Sequence, residues 1–210
     1  MKISIIGLGY VGLPLAVETS KYYTTTGYDI NSNRINELCK YFDRNNEFSR
    51  KQLSSKKLTF TNKEKDLSNT DIFILTVPTP VFKNKKSNLN ILKSACKMIS
   101  KYIKKNTIIV NESTVYPGVT EDICGKILSQ KSKLIFNKDF FLGYSPERIN
   151  PGDKTHSLNK ISKLISASNK KSLNIIDQVY SKITNGNTVK VSSIKIAEAA
   201  KVIENTQRDI

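Results

Sequence analysis

Residues 2–16 read KISIIGLGYVGLPLA. Lys2 to Ile6 is a short isoleucine-rich strand, and an amphipathic repeat begins at Val11 and runs to Tyr22. Between them stand Gly7, Gly9 and Gly12. In a strand–turn–helix unit of this spacing the first glycine permits a tight turn and the second lets a pyrophosphate approach the backbone. The third lets the helix pack closely on the strand. At Tyr10 and Val11, where the helix starts, the backbone offers unpaired N–H groups and the positive end of a helix dipole to phosphate.

The next strand, Thr24 to Asp29, ends on a carboxylate 17 positions after Gly12. A carboxylate there accepts hydrogen bonds from both hydroxyls of an adenosine ribose, and its charge repels the extra phosphate of NADP. The expected cofactor is therefore NAD, held by Gly7, Gly9, Tyr10, Val11, Gly12 and Asp29. Asn31 is placed to cap a helix running to about Lys40, and Arg34 on that helix either lies over the adenine face or is a surface charge.

Outward from this unit the pattern repeats. Strands are expected at 58–61, 70–77, 107–111, 140–144, 161–166 and 188–191, and helices at 89–102, 117–129, 168–183 and 193–210. The run TDIFILTV at 70–77 is continuously apolar, as a central parallel strand should be. Strands alternating with helices predict an α/β fold, a doubly wound and mostly parallel sheet of Rossmann type. The boundary is expected near Val191, giving a dinucleotide-binding domain over 1–191 and, over 192–210, the start of a longer helix that ends in mid-pattern.

The 210 residues suit one well-packed domain with a short extension. No apolar run reaches the roughly 20 residues that span a bilayer, and Met1 leads into a strand rather than a signal peptide, so no membrane association and a cytoplasmic location are expected. Net charge is +16, yet of 34 basic residues only Arg34, Arg44, Arg50, Arg148 and Arg208 are arginines, and the lysines are scattered. Without an arginine stripe or an aromatic stacking platform, a basic surface is expected and a nucleic-acid site is not. Cys39, Cys96 and Cys124 are odd in number and far apart, which points to neither a disulfide framework nor a metal site. They read as buried or half-buried small hydrophobes.

Two further strand ends carry hydroxyls at the carboxyl edge of the sheet, where ligands bind in this architecture. Val77-Pro78-Thr79-Pro80 holds Thr79 beside two prolines, suited to a phosphate or the nicotinamide ribose. Glu112-Ser113-Thr114-Val115-Tyr116-Pro117-Gly118 places hydroxyls at the start of a helix, where N-capping would account for one of them.

Taken together, GLGYVGLPLA (7–16), VPTP (77–80), ESTVYPG (112–118), YSPERINPGD (144–153) and AEAAKVIENTQRDI (197–210) resemble the UDP-glucose/GDP-mannose dehydrogenase family of nucleotide-sugar 6-dehydrogenases. The YSPERINPGD form most resembles the branch acting on UDP-N-acetylhexosamines such as UDP-N-acetylgalactosamine or UDP-N-acetylmannosamine. Other hydride-transfer families on this fold, such as the 3-hydroxy-acid and 6-phosphogluconate dehydrogenases, share the glycine turn but not that motif.

The resemblance implies oxidation of the sugar's 6-hydroxyl to a uronate for surface polysaccharide synthesis, in two NAD-dependent steps through an aldehyde held on a cysteine. It implies that Thr114 positions or activates water and touches the cofactor, and that Glu147 is a general base. Arg148 would orient Glu147 or pair with a substrate phosphate. Lys201 and Asn205, four residues apart on one helix face, would stabilise an oxyanion, although Lys201 could instead form an ordinary surface pair with Glu198. The lone His156 is assigned no catalytic role, and Asp153 and Lys154 are read as shaping their loop.

None of the three cysteines matches the family's nucleophile, which lies in a second domain beyond the helix at 193–210. The resemblance therefore implies the N-terminal half of a UDP-sugar dehydrogenase that binds NAD without turnover, or one half of a split enzyme whose partner is separately encoded. The family dimerises through the helix that begins at 193, an expectation left in doubt for this half alone.

Overall fold

The strands at the centre of the sheet are mostly apolar, and their side chains divide by parity. Ile3 and Ile5 point into one core, Ile6 into the other; Ile72 and Ile74 join the first, Phe73 and Leu75 the second. In the computed structural model, which describes residues 1–147 and 162–208, this produces helices packed on both sides of one eight-stranded sheet.

The elements are β1 (Lys2–Ile6), α1 (Gly12–Ser20), β2 (Thr24–Tyr28), α2 (Ser32–Cys39), α3 (Arg50–Leu53), β3 (Leu58–Thr61) and β4 (Ile72–Leu75). There follow α4 (Asn90–Ile99), β5 (Ile108–Asn111), α5 (Lys126–Ser132), β6 (Phe141–Tyr144), β7 (Lys163–Ala167), α6 (Lys170–Ile183), β8 (Thr188–Lys190) and α7 (Ile194–Arg208). The strand order is β3-β2-β1-β4-β5-β6-β7-β8. It reverses direction between β1 and β4, the point at which an open α/β sheet forms its ligand crevice.

Asn31 caps α2 as expected, its side chain accepting from the amides of Asn33 and Arg34. Three expectations change. The strand β7 runs antiparallel to β6, with Gly143 opposite Ala167 and Tyr144 opposite Ser166. A parallel neighbour needs a crossover back to the opposite end of the sheet, whereas an antiparallel one is entered from the end at which β6 leaves it. The helix expected from Pro117 begins at Val119, and its first segment, Val119–Gly125, is π-helical before α5 continues it. Finally, the start of α7 does not leave the domain: Ile194 and Ala197 are fully buried in the second core.

Carboxylates fasten the sheet's lower edge. Asp71 accepts from the Lys2 amide at 2.9 Å and pairs with Lys104 at 3.1 Å, and Asp177 pairs with Lys190 at 2.7 Å and accepts from Thr188. Burial alone would raise both acids, but these donors outweigh it and hold both below the ordinary carboxyl value. Their stabilisation is complete above the unfolded-state pKa and is lost as pH falls through the depressed folded-state value. The melting temperature is therefore expected to drop as pH falls below about 5 toward the depressed folded-state values, more steeply in wild type than in Asp71→Asn/Asp177→Asn. Equal slopes in a thermal melt series would show that these pairs carry none of it.

Candidate functional site

The glycine turn is shaped by backbone contacts no side chain could survive. Gly7 sits at φ +97°, its amide donating to Tyr28 and its carbonyl accepting from the Thr76 hydroxyl at 2.8 Å. A Cβ on Gly12 would stand 1.8 Å from the Gly7 carbonyl oxygen, so α1 can lie against β1 only with hydrogen at that position. A Cβ on Gly9 would meet nothing within 4 Å, because it would project into open space above the turn. Val11 caps α1 with no side-chain hydrogen bond; the Leu13 amide turns back to the Gly9 carbonyl at 3.1 Å and Pro14 carries no N–H, so the amides at the helix start available to an external anion are those of Val11 and Gly12.

That open space is a cleft of about 1140 Å³ at the carboxyl edge of the sheet. The structure brings Gly7, Gly9, Tyr10, Val11, Asp29, Thr79, Thr114, Glu147, Lys201 and Asn205 onto its wall, although they come from six separate stretches of chain. Gly12 lies behind the turn rather than on the wall. Arg148, like His156, Asp153 and Lys154, lies outside the described residues.

Asp29 is already oriented: one carboxylate oxygen accepts from the Leu8 amide at 2.7 Å, the other from the Asn31 amide at 2.8 Å. Each oxygen retains a lone pair for a ribose hydroxyl. These features fit a dinucleotide: a turn in which a Cβ on Gly9 would fill the cradle, an uncapped helix start, and a carboxylate fixed by two amides just past the end of the second strand.

Arg34 is not a surface charge. It is buried, its Nε donates to the Leu8 carbonyl at 3.2 Å, and it pairs with the wholly buried Asp43 at 2.9 Å. It braces the outer side of the glycine turn and does not line the cleft. Asp43 lies in the stretch after α2 that reads as polar and variable, so its partner could not be foreseen.

Thr79 donates its hydroxyl hydrogen to the Thr114 carbonyl at 2.6 Å, and Ser113 donates to the Val77 carbonyl at 2.6 Å. Both hydroxyls thus tie the two strand-end loops together, and the Ser113 hydroxyl is not spent on capping a helix. Thr79 keeps its oxygen lone pairs on the cleft wall.

Glu198 is not a surface partner of Lys201. It is fully buried and accepts from the amides of Gly118 and Thr120 at 2.6 and 2.9 Å, capping the π-helical segment from α7. Lys201 is nearly buried, donates to the backbone carbonyl of Glu147, and pairs with Glu204 at 3.6 Å.

Sequence reasoning missed Glu112, Lys163 and Tyr180. Glu112 and Lys163 form an ion pair at 2.6 Å with almost no solvent exposure, and the Tyr180 hydroxyl donates to the other Glu112 oxygen. Burial raises the Glu112 pKa despite Lys163; burial would lower that of Lys163, but Glu112 and Glu147 outweigh it and keep the ammonium charged. The readable signal was a lysine at the head of a strand that continues with Leu164 and Ile165, since lysine is almost never fully buried unless paired.

Of the thiols, Cys39 is exposed, contrary to expectation, while Cys96 and Cys124 are buried side by side. A hydrogen bond with Cys124 and burial push the Cys96 thiol well above its usual range. None of the three lines the cleft.

A parallel sheet that reverses at β1 and β4, a glycine turn under an uncapped helix and a carboxylate closing the second strand define an NAD-binding Rossmann domain of a dehydrogenase. The chain belongs to the UDP-glucose/GDP-mannose dehydrogenase family, matching its NAD-binding domain over residues 1–184. It is 49% identical, over its whole length, to a UDP-N-acetyl-D-glucosamine 6-dehydrogenase of Pseudomonas aeruginosa, covering 50% of that protein. It is 48% identical to protein CapL of Staphylococcus aureus, covering 49% of it. The solved structure of the UDP-D-ManNAc dehydrogenase of Pyrococcus horikoshii superposes with a TM-score of 0.92 at 30% identity, over all of this chain and 51% of that one. The chain spans about half the length of the curated relatives it matches. No helix among the described residues is long and apolar enough to cross a membrane.

Proposed function

We propose that this chain is the NAD-binding and acid–base half of a UDP-N-acetylhexosamine 6-dehydrogenase, which oxidises the sugar's primary alcohol to a carboxylate. One observation carries the reading: a single cleft joins the dinucleotide turn and Asp29 to Glu147, Lys201 and Asn205. The branch follows from motif likeness and from relatives named for UDP-N-acetyl-D-glucosamine and UDP-N-acetyl-D-mannosamine. UDP-N-acetylglucosamine thereby joins UDP-N-acetylgalactosamine and UDP-N-acetylmannosamine as a substrate to test.

Gly7, Gly9, Tyr10 and Val11 hold the pyrophosphate and Asp29 the adenosine ribose. Bound NAD supplies the hydride acceptor. Glu147 takes up a proton at its carboxylate, Thr114 positions water, and Lys201 and Asn205 stabilise negative charge on the reacting oxygen from one face of α7. The nucleophilic thiol of the family comes from outside residues 1–210, from a cysteine-bearing second half. The exposed Ile196, Val202 and Ile203 on α7 fit a helix that pairs with a second copy.

Residues 1–210 are expected to bind NAD in a calorimetric titration and to form no NADH with any of the three UDP-N-acetylhexosamines. Joined to the cysteine-bearing half, they are expected to yield two NADH per sugar, the count an alcohol-to-acid oxidation requires. Turnover by residues 1–210 alone, or failure to bind NAD, would overturn the proposal. Asp29→Asn should weaken NAD binding on the order of tenfold and narrow the preference over NADP, because one charged hydrogen-bond acceptor is lost and the repulsion of a 2′-phosphate with it. Unchanged relative affinity for the two cofactors would remove Asp29 from that role.

A further inference from the structure

Lys163 is a lysine with almost no solvent exposure, at the start of a strand that continues with Leu164 and Ile165. Removing an ammonium from water costs several kcal/mol, and an apolar residue of like volume would often serve the fold better. Its three N–H donors meet three acceptors: Glu112 Oε2 at 2.6 Å, the Pro146 carbonyl at 3.3 Å and Glu147 Oε2 at 3.3 Å. Glu112 is itself fixed by the Tyr180 hydroxyl from α6.

The antiparallel pairing of β6 and β7 produces this arrangement. Tyr144 lies opposite Ser166, so the same register carried three residues further sets Lys163 opposite Glu147. A slip of one residue would turn Lys163 to the other face of the sheet. Glu147 is therefore gripped from two sides, its carboxylate by Lys163 and its backbone carbonyl by Lys201 from α7.

We infer that Lys163, seated on Glu112 and Tyr180, is the positioning residue that aims the Glu147 carboxylate into the cleft. This rests on the reading of Glu147 as general base. Lys163 touches neither cofactor nor substrate in this role; it fixes the direction from which the base reaches its proton, a geometry to which proton transfer is sensitive.

Lys163→Met alone leaves Glu112 buried without a cation and can fail to fold. Glu112→Gln/Lys163→Met removes both charges together and leaves an amide oxygen for Tyr180. In residues 1–210 labelled with ¹³C and ¹⁵N, the wild-type Lys163 ammonium should give an Nζ–H correlation protected from water exchange. The side-chain carboxyl carbon of Glu147 should move in the double variant while NAD affinity stays unchanged. In the enzyme joined to its cysteine-bearing half, kcat should fall on the order of 10²-fold, the usual contribution of general base catalysis, with little change in KM for the UDP-sugar. An unmoved Glu147 carboxyl signal, or an unchanged kcat in an enzyme whose wild type is active, overturns the inference. A wild-type joined enzyme that oxidises no UDP-sugar fails the functional reading instead and leaves the carboxyl signal to decide the geometry.

Discussion

Gly12→Ala will not yield a folded, NAD-binding protein. The added methyl carbon would stand 1.8 Å from the Gly7 carbonyl oxygen and 2.9 Å from the Gly7 carbonyl carbon, and both belong to backbone that cannot rotate away. The Gly7 carbonyl is itself held by the Thr76 hydroxyl, so relief requires α1 to lift off the sheet and take Leu13, Ala16 and Val17 out of the core. Overpacking of this kind costs more than about 3 kcal/mol when backbone must move, a large share of a domain's stability. Gly9→Ala is the control, because its methyl meets no protein atom within 4 Å. It should melt as wild type does yet bind NAD at least about tenfold more weakly, since its methyl occupies the space the pyrophosphate needs. Thermal melts and calorimetry on the two variants separate the roles. A Gly12→Ala protein with wild-type stability would show the turn to be drawn wrongly.

Lys163→Met is expected to be the most damaging single change away from the glycines. It strands Glu112, which is fully buried beside Tyr180, and breaking one side of a buried pair costs about 3–5 kcal/mol. For a domain of this size that lowers the melting temperature by roughly 6 to 20 °C. The loss should depend on pH in a direction that identifies its cause. Without Lys163 the folded-state pKa of Glu112 rises further above that of the unfolded chain, so stability is retained below about pH 4 and lost as pH rises through the folded value. Adding Glu112→Gln should recover most of the lost stability at neutral pH. If the single variant melts as wild type does at every pH, the buried pair does not exist in solution.

Much of this molecule was legible because its signals are local. The turn at Gly7, Gly9 and Gly12 depends on residues within one βα unit, and Asp29 on the next strand's end, so spacing alone located both. The apolar runs at 72–75 and 108–110 read as buried strands because they are short, continuous and bounded by polar residues between helical segments. Lys201 and Asn205 share a helix face by period and reach the same cleft.

The contacts that went unforeseen share a physical origin. Arg34, Thr79 and Glu198 each looked available for ligand or solvent, and each is engaged by a group distant in sequence: Asp43 and Leu8, Thr114, and the amides of Gly118 and Thr120. A polar side chain announces its chemistry but not its partner, and burial makes the partner obligatory without naming it.

The sequence by itself therefore determined the dinucleotide turn, the carboxylate that closes the second strand and the alternation that builds a doubly wound sheet, because these follow from backbone sterics and periodicity over a few residues. Only the tertiary structure decided that β7 returns antiparallel and that Arg34 braces the turn from behind. It alone decided, too, that Lys163 meets Glu112 and Glu147 beneath the cleft. Those outcomes depend on register across the sheet and on the need to pair every charge that leaves water, conditions that no single stretch of chain contains.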